Sequence, residues 1–184
     1  MADVTVAFPF RRVNVVGTSC SGKTTFAAAL AEQLGVRHVE LDALHWGPNW
    51  TNATAQQMRE RVAAAVAGVE WVVDGNYSVS RDLVWARADA VIWLDYPLRT
   101  ILRRYLIRTR RRLRSQEEIW PGTGNHERLG NHLVGREGLL WWILSTYHRR
   151  RREYPVMLAA HPGIAMVRLR SPDEANAWLD ELVP

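Results

Sequence analysis

Gly17-Thr18-Ser19-Cys20-Ser21-Gly22-Lys23-Thr24 follows an apolar run, Val13-Asn14-Val15-Val16, and opens an Ala-rich stretch of helical periodicity. The spacing is GxxxxGK[ST], and a strand before it with a helix after it is the setting in which that spacing means a P-loop. Gly17 and Gly22 permit backbone angles and close approaches that a Cβ forbids, so the N–H groups of Ser19, Cys20, Ser21, Gly22, Lys23, Thr24 and Thr25 can turn toward phosphate oxygens. The helix beginning near Lys23 directs its positive dipole end at the same anion. Lys23 then supplies a point charge to the β- and γ-phosphates, and the Thr24 hydroxyl one ligand of a magnesium ion; the implied ligands are ATP and Mg²⁺. Of 24 Lys plus Arg residues, Lys23 is the only lysine. A compact ammonium suits this position in a way that the rigid fork of an arginine does not.

At 184 residues the chain is long enough for one domain with a sizeable core, and we read residues 1–184 as a single domain. One cysteine excludes a disulfide framework and a multi-cysteine zinc site and fits a reducing compartment. Residues 1–12 lack the long apolar core of a secretory leader, and the densest apolar run, residues 139–144, falls far short of the roughly 20 residues of a membrane span. The expected location is the cytoplasm. A net charge of +5 and a pI near 10.0 point to an anionic partner, for which nucleotide, RNA, DNA and a membrane surface all qualify.

Outward from the P-loop, hydrophobic periodicity and stop signals predict strands over 12–16, 38–41, 70–73, 90–94 and 165–169. Helices are predicted over 23–34, 54–67, 81–87, 98–114 and 139–158, and a final one after Ser171, with Ser171 as N-cap and Pro172 at the first helical position. Strands alternating with helices argue an α/β fold built on a parallel sheet. His45-Trp46-Gly47-Pro48-Asn49-Trp50 reads as a surface loop, and 120–138, with Gly-Asn-His at 124 and again at 130, as a mobile one.

Ligands of such sheets bind at the carboxyl ends of the strands, where Asp42, Asp74 and Asp95 are expected to line one crevice beside the P-loop. Asp74 suits the second magnesium-holding acid, through water, or simply forms the turn before Gly75. Asp42 suits the carboxylate that meets an acceptor hydroxyl, or caps a helix. For Asp95 a structural role is favoured over a chemical one. Residues 99–114 carry eight arginines and no acid. Projected at about 100° per residue, Arg104, Arg108 and Arg111 share one flank, which makes them our choice for the charge around a moving phosphate, in a lid of approximately 99–138. A solvated basic face is the bland alternative for the remainder. His126 and His132, six apart and without cysteines, make a poor zinc pair. Trp46 and Trp50 either stack on a planar group or cover the sheet end.

With these residues placed, the chain resembles the P-loop kinase superfamily of adenylate kinase-related proteins. More narrowly it is similar to small bacterial proteins of the DNA topology modulation type. The resemblance rests on GTSCSGKT at 17–24, Leu41-Asp42-Ala43-Leu44-His45-Trp46, WVVDGNYS at 71–78, WLDYP at 93–97, the arginine-rich lid, and RLRSPDE at 168–174. It implies a five-stranded parallel sheet flanked by helices, ATP with magnesium, and an adenine contact from the loop carrying Arg170, Ser171 and Pro172. Adenylate kinases carry DGFPR after the third strand, whereas here Asp74-Gly75 is followed by Asn76-Tyr77-Ser78, which argues against a nucleoside monophosphate acceptor. The leading expectation is transfer of the ATP γ-phosphate to a small hydroxyl or phosphate acceptor such as a nucleoside or nucleotide. The alternative is a nucleic-acid-associated ATPase that binds through the basic lid and the cluster His148–Arg152.

Overall fold

A computed structural model describes residues 6–127 and 138–183; the second Gly-Asn-His stretch, and His132 with it, lies outside the described residues. The strands are β1 (Val6–Ala7), β2 (Arg12–Gly17), β3 (His38–Glu40), β4 (Trp46–Gly47), β5 (Thr51–Asn52), β6 (Trp71–Asp74), β7 (Ala90–Leu94), β8 (Ala165–Leu169) and β9 (Leu182–Val183). The helices are α1 (Lys23–Leu34), α2 (Leu41–His45), α3 (Ala55–Ala65), α4 (Arg81–Trp85), α5 (Leu98–Ser115), α6 (Leu139–Ala159) and α7 (Pro172–Asp180). Five strands form one parallel sheet in the order β3-β6-β2-β7-β8, with the P-loop strand in the middle. This is the expected α/β sheet flanked by helices.

The central strands are continuous apolar runs because helices cover both faces of the sheet. Side chains alternate between two cores: Val13, Val15, Val72 and Ile92 pack with Phe26 and Leu30 of α1, while Val16, Val73, Val91 and Trp93 pack with Met58 and Val62 of α3 and Tyr154 of α6. Asn14 is the polar exception in β2. It is 2% exposed, and its amide donates to the carbonyls of Val73 (3.1 Å) and Gly75 (3.2 Å) and accepts the Trp85 indole N–H at 3.0 Å. A buried amide with every bond made ties the P-loop strand to the loop after β6. Among the described residues no helix is long and apolar enough to cross a membrane.

Three sequence expectations change. Residues 46–52 are not an open loop but a small antiparallel hairpin, Trp46 opposite Asn52, with Asn49 and Trp50 both at positive φ. The described part of the expected mobile loop is folded onto that hairpin. Asn125, fully buried, accepts the Trp50 N–H at 2.7 Å and donates to the Gly47 carbonyl at 3.0 Å, and the Thr123 carbonyl accepts the Asn49 N–H. His126 turns its Nδ1 to the Gln116 carbonyl at 2.7 Å, and no metal-holding group of three ligands occurs among the described residues.

The third change concerns Asp95, which does not join the crevice. It is 3% exposed and is gripped by Arg151 (2.8 Å) and by a forked pair of bonds from Arg168, so it ties β8 and α6 to the end of β7. Removing one partner of a buried charge cluster leaves the others uncompensated. Asp95→Ala is therefore expected to cost about 3 kcal/mol of stability in denaturant unfolding. A loss below about 1 kcal/mol would mean that water already satisfies the two arginines.

Candidate active site

The P-loop connects the buried end of β2 to α1. A Cβ on Gly17 would lie 2.8 Å from the Leu94 carbonyl oxygen, and one on Gly22 would lie 2.8 Å from the Arg104 guanidinium. At Gly17 the fixed backbone excludes a side chain on space alone, whereas at Gly22 the Arg104 tip could move and the left-handed φ of 91 is what favours glycine. Cys20 (φ 67) and Gly22 (φ 91) sit in the left-handed region on either side of Ser21, an alternation that turns successive N–H groups to one side. The first turn of α1 has no side-chain cap and no acid. Its orphan donors and dipole end are left to an anion, so the loop fits the phosphates that its sequence implies.

Around this cradle the structure brings together Lys23, Thr24, Asp42 and Asp74. Lys23 is ringed by protein, and the loss of water pushes its ammonium pKa down, while Asp42 and Asp74 pull it back. The Thr24 hydroxyl donates to one Asp74 oxygen at 3.3 Å, and His38 holds the other at 2.8 Å. Asp74 is 2% exposed, so His38 fixes which oxygen turns to Thr24. Thr24 and Asp74 are the pair suited to magnesium. Asp42 lies in the first turn of α2, where the Tyr77 hydroxyl donates to it at 2.7 Å. Burial and the nearby Asp42 carboxylate push the Tyr77 pKa up, so its hydroxyl stays a donor.

Lys23, Thr24, Asp42 and Tyr77 open onto one cleft of about 1290 Å³, which Glu40 also lines, whereas Asp74, expected in the crevice, is buried against Thr24 and does not line it. Of α5, Arg104, Arg108 and Arg111 all reach the cleft, as their shared flank predicts, and Arg112 reaches it as well. Arg104 stands over the Tyr96 ring at 5.2 Å and donates to the Ser21 carbonyl; it braces the phosphate loop. The side-chain Nε of Arg108 is buried without a partner, whereas Arg112 pairs with Glu127 at 3.2 Å. Arg170 is at the same end of the sheet but does not line the cleft; it is exposed, and its N–H meets Glu174 at 2.6 Å. Ser171 caps α7 as expected, accepting the Glu174 N–H.

Sequence reasoning missed His38, Glu40, Tyr77, Arg112 and Arg150. Arg150 donates to the Gly17 carbonyl at 3.2 Å and lies over Trp142, so one member of the cluster His148–Arg152 belongs to the cleft rather than to an outer surface. For Arg112 a signal existed, since Arg104, Arg108 and Arg112 repeat every fourth residue. For Glu40 no local signal existed, since its place beside Asp74 follows from the pairing of β3 with β6.

No family model matches the sequence, and no curated protein matches it. Solved structures do match in fold over nearly the whole chain. A gluconokinase from Sinorhizobium meliloti aligns at 22% identity and TM-score 0.51, covering 95% of this chain and 94% of that one. A shikimate kinase from Aquifex aeolicus aligns at 13% identity and TM-score 0.54, covering 92% of each. A shikimate kinase from Acinetobacter baumannii, solved with shikimate, aligns at 14% identity and TM-score 0.53, covering 94% of this chain and 90% of that one. At these identities the likeness is one of fold.

Proposed function

We propose that this chain is an ATP-dependent phosphotransferase that moves the γ-phosphate of MgATP to a hydroxyl of a small molecule, in the way that its fold neighbours are named kinases of small hydroxyl compounds. The observation that carries the reading is a carboxylate, Asp42, oriented by Tyr77 and opening into the same cleft as the P-loop lysine. In this reading the N–H groups of Ser19, Cys20, Gly22, Lys23, Thr24 and Thr25 and the Lys23 ammonium hold the phosphates, while Ser21, expected among them, spends its N–H on the Thr18 carbonyl at 3.1 Å; Arg108 and Arg111 place charge around the group in transit, and Arg104 keeps the loop in shape. Thr24 and Asp74 would hold magnesium, which supplies charge neutralisation between the β- and γ-phosphates. Asp42 orients the acceptor hydroxyl and receives its proton. Arg170 is assigned to the adenine end.

The narrower kinship, to proteins of the DNA topology modulation type, rests on the motifs at 17–24, 41–46, 71–78 and 168–174. A cytoplasmic site of action fits a free thiol within the phosphate loop. One observation favours the second reading, a nucleic-acid-associated ATPase: Arg110 and Arg114 are exposed beside Ile107 in a shallow groove along α5. The reading is tested by ADP release from MgATP with nucleosides, nucleoside monophosphates, sugars and DNA offered in turn. Acceptor-dependent release supports the kinase, and stimulation by DNA alone rejects it.

Cys20 reports on the nucleotide directly. Burial pushes its thiol up, against the pull of Arg108 and Lys23. Only the thiolate reacts, so alkylation is expected to be slow near neutral pH and to rise about tenfold per pH unit below the pKa. MgATP should slow it at least about fivefold further at any one pH. Equal rates with and without MgATP would put the nucleotide elsewhere.

A further inference from the structure

Within the cleft the charges are sorted. Toward the P-loop stand Lys23, Arg104, Arg108 and Arg112, close enough that Arg108, Lys23 and Arg112 all act on the Cys20 thiol. Around Asp42 the lining is different: Glu40, then a wall of Trp46, Trp50, Trp120 and Tyr77. The rings touch edge to face or tilted, His45 with Tyr77 at 4.8 Å, Trp46 with Trp50 at 5.4 Å and Trp50 with Trp120 at 6.0 Å. Glu40 is raised above the ordinary carboxylate range by burial and by Asp74 and Asp42, which marks the local potential as negative.

Arg111 and Arg150 line the cleft too, yet the charges that act most on Glu40 and Tyr77 are carboxylates, Asp74 and Asp42 on Glu40 and Asp42, Glu40 and Asp74 on Tyr77. Arg61 donates to the Leu44 carbonyl at 2.7 Å, and Arg81 is held by Asn76 at 2.8 Å and by the Met157 sulfur at 3.2 Å; neither lines the cleft. Burial holds the His45 pKa down, so its ring is neutral at neutral pH. One buried polar atom of this half, His45 Nδ1, completes no hydrogen bond, whereas the Trp120 indole N–H is turned to Glu40. An unpaired buried polar atom is costly unless a ligand meets it.

We infer that the acceptor is a ring-bearing alcohol with no carboxylate or phosphate group, its flat face against the tryptophan wall and its hydroxyls toward Asp42 and His45. This rests on the phosphotransferase reading and specifies its substrate class. An anionic group among Glu40 and Asp42 would meet like charge, with Arg61 and Arg81 both held away from the cleft. A sugar ring or a nucleoside base instead gains from stacking on indole and from the unpaired His45 nitrogen.

The test offers matched pairs that differ in the anionic group alone: shikimate and its methyl ester, and a nucleoside and its 5′-monophosphate. Binding is read by calorimetry in the presence of MgADP, and transfer by ADP release from MgATP. The uncharged member of each pair is expected to bind at least about tenfold tighter, and Trp46→Ala to weaken that binding about fivefold with Trp46→Phe restoring most of it. Tighter binding of the anionic members, or binding of no member at millimolar concentration while MgADP still binds, overturns the inference. Failure of the phosphotransferase reading looks different: the nucleotide itself does not bind, or its γ-phosphate moves to no acceptor although the uncharged members bind.

Discussion

Lys23→Met is expected to cut MgATP turnover by about 10²- to 10³-fold and to leave the fold intact. The lysine faces the phosphate cradle from a place where burial already pushes its ammonium toward the neutral form, with Asp42 and Asp74 opposing. Methionine has a similar length and removes only the charge, so the desolvation that opposes the ammonium disappears along with it. Thermal stability should therefore hold or rise slightly. In a low-dielectric site a charge placed where phosphate charge develops is worth far more than in water, which is why the loss falls on turnover. Steady-state kinetics together with a melting curve decide the matter. Turnover within a few-fold of wild type would remove the P-loop from the chemistry.

Asp42→Asn is expected to lower transfer to the acceptor at least about tenfold, with up to about 10²-fold allowed by general-base catalysis and less by a loose transition state. The amide keeps the shape and still accepts the Tyr77 hydroxyl, now at 2.7 Å from Asp42, so geometry is preserved while basicity is lost. MgATP affinity should change little, since the proposed holders are Lys23, Thr24 and Asp74. A collapse of MgATP affinity with acceptor dependence unchanged would make Asp42 a metal-site residue instead.

The P-loop and the five strands were legible in the sequence because each is a local pattern: glycines at fixed spacing, and apolar runs ended by polar residues. What sequence order cannot tell is sheet order. β6 inserts between β2 and β3, and that insertion makes Glu40 the neighbour of Asp74 and lets His38 reach its second oxygen. A histidine in a three-residue strand carries no local mark of that role. Asp95 was placed in the crevice by analogy with the other strand ends, but Arg168, beside Trp93 in register on β8, claims it. The loop at 120–127 reads as mobile from its glycines. Its order comes from Asn125, whose partners near Trp50 are remote in sequence.

In the proposed reaction the γ-phosphate leaves ATP for an alcohol. The most direct measurement incubates the protein with magnesium and ATP labelled in its γ-phosphate, in the presence of the acceptor panel or of DNA, and asks where the label goes. A phosphate ester of an uncharged alcohol is expected, absent with Lys23→Met and reduced with Asp42→Asn. Label found only in inorganic phosphate, at a rate raised by DNA and indifferent to every alcohol, would contradict it.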